Sequence, residues 1–302
     1  LPRGWELARD YLVRTVGKAR TRPLMWRMAR YYDGHDKNEP ALQVVAWLLR
    51  TQPTDSRSTA YHQLQVDILV RLRKPARLDA GLQEVVAFYS PGSPWMRAHR
   101  TRPRVAATGR RLAEKALAYV ATYYHREGKA SRREDLLKRA AKTYAMFLRR
   151  FPASKQAVNV SFYLAELRRR FGAYDAAAKR YAFVVGRGKS AFREDAAFQR
   201  VYCLAQLLKS KGLDRPVPRK VGTETIPRTP LAPVEKRFVA ASDEFAQLYP
   251  KSKDTPAILF KAARTWYDHG RLRRAGQRFG RVITGHPKDR YAALSGALAL
   301  DS

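Results

Sequence analysis

The chain is poor in cysteine, in acidic residues and in long apolar runs. A single cysteine, Cys203, in 302 residues excludes any internal disulfide, so the fold is not a covalently stapled scaffold. Cys203 lies inside an apolar helical pattern, where a buried structural thiol is the expected role. No run approaches the ~18 consecutive apolar residues of a membrane span. The chain starts at Leu1 with no signal peptide, as expected of a processed or excised piece.

Catalytic and metal-binding patterns are also missing. The six histidines, His35, His62, His99, His125, His269 and His286, form no HExxH, no pairing with cysteine and no i, i+4 pair. His35-Asp36 and Asp268-His269 fall at expected helix ends, where a capping role suffices. No GxSxG is present, and carboxylates are too sparse to suggest a glycosidase pair. Gly186-Arg187-Gly188-Lys189-Ser190 resembles the end of a phosphate-binding loop. That loop needs glycine where Phe183 stands and a strand where Ala176 to Val185 reads as helix, so it is an inter-repeat connection. No enzymatic activity, metal or cofactor is expected.

What the chain has in quantity is positive charge: 60 Lys and Arg against 26 Asp and Glu, a formal net charge of +34. That excess favours acidic or polyanionic partners and speeds their encounter without specifying a fold. The hydrophobic content of 45% is that of a folded protein. The basic clusters (Arg97 to Arg104, Arg110-Arg111, Arg132-Arg133, Arg149-Arg150, Arg168 to Arg170 and Arg271 to Arg274) fall mostly at helix ends and turns. Cations there complement the helix dipole, and arginine suits forked contacts to carboxylate or phosphate.

Internal repetition predicts the architecture. Residues 151–185 lie on 249–283 without a gap: Phe151 on Tyr249, Pro152 on Pro250, Ser154 on Ser252, Phe162 on Phe260, Ala165 on Ala263, Gly172 on Gly270, Ala177 on Ala275, Tyr181 on Phe279 and Val184 on Val282. Each unit reads as an amphipathic helix N-capped by serine, a glycine allowing a left-handed turn, and a second helix with a small residue at Ala177 or Ala275. A proline closes each unit.

These positions resemble the tetratricopeptide repeat. The last full unit carries the pattern through Leu259, Ala262, Ala263, Trp266, Ala275, Phe279, Val282 and Pro287. The first carries it through Met25, Met28, Ala29, Tyr32, Ala41, Val45, Leu48 and Pro53. A middle unit opens with Val201, Leu204, Ala205, Leu208 and Gly212, and its second helix resumes near Pro233. Residues 154–190 form another, with Arg168 in place of the usual aromatic. The resemblance implies an all-α, right-handed α-solenoid of antiparallel helix pairs.

Between the clear units, Thr59 to Phe88 reads as a helix pair broken at Lys74-Pro75, and helices are expected over about 105–127 and 132–150. The Pro-rich corner from Ser90 to Trp95 and the basic segment to Arg104 predict a long loop or a change of direction. The division expected is therefore 1–104 and 105–302. The insertion 213–232, proline-rich and basic, reads as a loop ordered on demand or a mobile linker. The apolar face of Ala292, Ala293, Leu294, Ala297, Leu298 and Leu300 predicts a helix that continues the array past Ser302.

In the resembled family the first helix of each pair lines the concave face. Of the helix positions that meet ligands there, the resemblance makes the fifth Trp26, Phe162, Tyr202 and Phe260; the ninth Arg30, Glu166, Gln206 and Arg264; and the twelfth includes Arg169, Lys209 and Tyr267. Aromatics with interleaved cations suit an extended acidic segment, or stacked bases. The alternative is that the aromatics pack between adjacent first helices.

The Pro-x-Ser/Asp unit starts, at Pro53, Pro152, Pro250 and Pro287, are similar to those of bacterial cell-envelope repeat proteins of the outer-membrane assembly lipoprotein and Tol-Pal-associated coordinator type. That likeness implies a non-catalytic protein-binding scaffold in the periplasm or envelope, with a cytoplasmic location as the alternative. Two other functions stay open: a nucleic-acid-binding helical repeat, and the superhelical part of an enzyme acting on an anionic polymer such as peptidoglycan.

Overall fold

The computed structural model describes residues 4–188, 190–214 and 228–300, and every regular element among them is helical. The chain divides into two compact units, Leu1–Phe151 and Pro152–Ser302. The first holds α1 (Gly4–Gly34), α2 (Asn38–Thr51), α3 (Ser58–Arg71), α4 (Pro75–Phe88), α5 (Pro94–Ala98), α6 (Pro103–Ala130) and α7 (Glu134–Arg150). The second holds α8 (Ala157–Arg170), α9 (Tyr174–Gly186), α10 (Arg193–Ser210), α11 (Pro233–Leu248), α12 (Thr255–Asp268), α13 (Leu272–Gly285) and α14 (Arg290–Leu300). Within each unit, helices adjacent in sequence pack as antiparallel pairs, and each pair packs on the next. This is the all-α solenoid arrangement that the registered repeats predict.

The turn inside a pair has a recurring device. Gly172 and Gly270 adopt φ of 73° and 64°, the left-handed turn expected of them. Asp36, Arg73 and Arg132 make the same turn in the first unit at φ between 51° and 55°, without glycine. Ala177 and Ala275 are fully buried where paired helices approach. The serine caps sit earlier than expected. Ser154 and Ser252 accept the backbone N–H of Gln156 and Asp254 at 3.0 and 3.4 Å. The helices proper begin one residue later, so each serine fastens a lead-in turn.

In the first unit α1 is broken at Gly17 (φ 77°), and Trp5 from its first half joins Met25 and Ala29 from its second in one core with Val44, Val45, Leu48 and Tyr61. Trp5 donates from Nε1 to Gln43 at 2.7 Å. The unit start at Asp55 is a buried junction. Its carboxylate pairs with buried Arg22 at 2.7 Å and accepts the Arg57 backbone N–H at 2.9 Å.

The Ser90–Arg104 corner is a packed plug rather than the long loop expected. Ser93 caps α5 by accepting the Met96 N–H at 3.1 Å, and Pro94 supplies its first residue. Trp95 is buried and donates to the Asp55 carbonyl at 2.9 Å, tying the corner back to the α2–α3 turn. A side chain on Gly109 would lie 2.5 Å from the Tyr89 ring, so only glycine lets α6 run this close to the plug.

In the second unit α14 splits the predicted apolar face. Ala292 is buried and Leu298 packs beside the α12–α13 core, while Ala293, Leu294 and Ala297 are exposed. Of the predicted loop 213–232, residues 215–227 lie outside the described residues. Its final residues are ordinary packed structure: Leu231 is buried in the core of α9–α12, and Thr229 is bonded to His269. These residues form no helix or strand and are loop, packed against the core.

Candidate functional site

The sequence-predicted groove residues fall into three groups. Trp26 is half-buried and tilts against Tyr61 at 5.0 Å in the first unit's core, with Arg30 exposed on the same helix. In the second unit Phe162 is buried and stacks on Phe192 at 4.4 Å, nearly coplanar. Tyr267 is buried against Phe279. Phe162 is covered by the residue leading into α10, the next first helix, and Tyr267 by α13, the second helix of its own pair. Glu166 is engaged internally, accepting from Tyr181 Oη and pairing with Arg169 at 3.1 Å.

Tyr202, Phe260 and Arg264 come together with residues the sequence reading missed. They line an open groove of about 390 Å³ formed by α10, α12 and α14, with Phe198, Lys261 and Tyr291 also on its walls and Val201, Phe238 and Ile258 in its floor. These three are the first helices of successive pairs, and each presents one side to the same hollow. Phe260 is half-buried between Phe279 at 5.8 Å and Tyr291 at 5.1 Å, and Tyr202 is 38% exposed. Phe198 was legible in principle: it precedes Tyr202 by one helical turn and shares its face. Tyr291 was not, because it comes from the following pair.

The groove is cationic and carries no carboxylate in its walls. The Lys261 ammonium lies 5.8 Å from the Phe238 ring, and Arg264 pairs with Asp268 at 3.2 Å. The Arg169 guanidinium lies 6.0 Å from the Tyr202 ring, extending the positive edge toward α8. Gln206 is half-buried and Lys209 exposed farther along α10. Aromatic faces beside cations make a surface for an apolar side chain flanked by anions.

One constellation has a catalytic outline. Thr229 Oγ1 lies 2.6 Å from His269 Nδ1, and His269 Nε2 lies 2.9 Å from Glu235 Oε1, the order of a nucleophile, base and acid. An oxyanion needs a free donor beside the nucleophile. The Thr229 N–H is spent on the His269 carbonyl at 3.2 Å, and Pro230 has none. Glu235 instead reaches back to the Ala232 N–H at 2.7 Å, securing the start of α11. His269 therefore straps two helices and a loop end rather than simply capping α12, whereas His35 does cap, bonding the Tyr31 carbonyl at 2.8 Å. Cys203 is fully buried, and burial pushes its thiol up to about 12, which keeps it protonated and unreactive. Among the described residues no cluster of His, Cys, Asp and Glu could hold a metal ion, and no helix is long and apolar enough to cross a membrane. The connection after α9 follows a helix, not a strand, with Lys189 outside the described residues.

Fold and groove together define a class, an all-α protein of stacked antiparallel helix pairs. No protein-family model matches the chain, and no curated protein does. Among solved structures it is similar to the C-terminal part of a TPR repeat-containing protein from Cytophaga hutchinsonii, at 10% identity over 89% of this chain and 98% of that one, with a TM-score of 0.38. It is also similar to pilF of Pseudomonas aeruginosa, at 13% identity over 80% and 97% of the two chains with a TM-score of 0.27. A tetratricopeptide repeat protein from Parabacteroides merdae matches at 10% identity over 93% and 98%, with a TM-score of 0.24. Superpositions this loose carry no argument, and the fold rests on the helix packing described above.

Proposed function

We propose that the chain is a non-catalytic scaffold whose second unit holds an extended acidic segment of a partner protein in the α10–α12–α14 groove. The observation that carries this reading is the groove's composition: four aromatic rings and two cations around an apolar floor, with no acid among them. An extended peptide would place spaced apolar side chains between Phe198, Tyr202, Phe260 and Tyr291, and its carboxylates against Lys261 and Arg264. The Pro-x-Ser/Asp unit starts support a bacterial envelope assembly as the setting.

The test is fluorescence-anisotropy titration of a short labelled acidic peptide with spaced Phe and Leu side chains. Phe162 is excluded from the variants because its loss would open the core. Tyr202→Ala with Lys261→Glu should weaken binding by at least about tenfold while helicity stays that of the parent. Parental affinity in that folded variant removes the groove from the account.

A further inference from the structure

The first unit carries a cleft of its own, on α4 and α7. Helices α4 and α7 run in the same direction, with residues about sixty apart in sequence facing each other. Near their first turns they are clamped: Asp79 on α4 pairs with Arg139 on α7 and accepts the Tyr124 hydroxyl of α6 at 2.9 Å. Toward their last turns lies a cleft of about 450 Å³ lined by Gln83, Val86, Ala87, Met146, Arg149 and Arg150.

Each wall is a single helical stripe, at positions i, i+3 and i+4 on both helices. Val86 lies in the floor, buried, with half-buried Met146 opposite; Ala87, Arg149 and Arg150 are exposed. Their chemistry is graded. The apolar side chains lie along the cleft, the two guanidiniums stand at its open end, and the lining contains no carboxylate. One cation would complement the dipole at the end of α7. Two at one edge of an apolar cleft, neither paired with a carboxylate among the described residues, exceed that need.

We propose that this cleft docks an amphipathic acidic helix of a partner protein, its apolar face on Val86, Ala87 and Met146 and its carboxylates on Arg149 and Arg150. Charge complementarity selects this occupant. A second copy of the chain, with its net charge of +34, would bring cations to cations. A phosphate backbone would use the arginines and leave the apolar stripe empty. An amphipathic helix carries apolar and acidic side chains at the same i, i+3 and i+4 spacing as the two walls, and so matches both halves of the lining. The site is independent of the second unit's groove.

The experiment uses the whole chain and a labelled helical peptide with one leucine face and one glutamate face, read by anisotropy at ~0.15 M salt. Two variants probe the two halves of the argument: Ala87→Arg fills the apolar stripe from an exposed position, and Arg149→Glu with Arg150→Glu reverses the rim. Both lie on the surface, and circular dichroism checks their fold. Each should weaken binding by at least about tenfold, while Tyr202→Ala with Lys261→Glu leaves it unchanged. Three results overturn the proposal: parental affinity in either cleft variant, loss only in the groove variant, or equal competition by a single-stranded DNA of the same charge.

Discussion

His62 is a buried histidine whose environment disfavours its charged form. It is fully buried, its Nδ1 is bonded to the Ser58 carbonyl at 3.1 Å and the Tyr89 hydroxyl at 2.9 Å, and burial pushes the imidazole down to about 4. The unfolded chain takes up this proton near its ordinary value, so acidification favours unfolding across that interval. Stability of the first unit should fall by about 3 kcal/mol between neutral pH and pH about 4, and His62→Gln should flatten that slope in urea titrations. Asp55 acts later. Burial pushes its carboxyl up, but the Arg57 N–H and the Arg22 and Arg57 guanidiniums outweigh it and hold it below the usual range. Its contribution is present above the ordinary carboxylate pKa and is lost only as pH falls through its own lowered value. A simpler residue-scale expectation concerns Cys203: the native chain should not react with a thiol reagent, and denaturant should expose one reactive thiol.

At the scale of the element, the turn and the plug make separate demands. Gly172 is left-handed with nothing near where a side chain would stand, so Gly172→Ala tests backbone conformation alone and should cost about 1–2 kcal/mol. Trp95 anchors the short helix α5, and Trp95→Ala should cost about 3–5 kcal/mol, measured as a lowered unfolding midpoint of the first unit with the second unit's unchanged. The helices themselves were legible because their signals are local. Pro75 opening α4 and Gly172 closing the α8–α9 turn each speak within a few residues, and the recurrence of Phe162 at Phe260 repeats the local pattern in register. The plug was illegible because Trp95 is satisfied by a carbonyl forty residues away, and a proline-rich, basic stretch reads as loop until that acceptor is known. The strap of Thr229, His269 and Glu235 has the same cause, drawing on three separate segments.

For the whole molecule, the groove shows why a register of repeats identifies helices better than it identifies a site. Tyr202, Phe260 and Arg264 line one hollow, because equivalent positions of stacked first helices point the same way. It equally selects Phe162 and Tyr267, which neighbouring helices cover, since exposure depends on the next pair and not on the repeat itself. Excess charge is shared by both units, and it alone would attract any polyanion. What distinguishes a protein-binding scaffold from a general polycation is affinity that survives screening, supplied by apolar contacts beside the cations. The most direct measurement is therefore a salt series comparing the labelled acidic Phe/Leu peptide with single-stranded RNA of equal charge, each competed by the other. The account predicts that peptide binding persists at ~0.15 M salt and displaces the RNA, whose affinity falls steeply with salt. RNA that binds more tightly than the peptide throughout the series and resists displacement would contradict it.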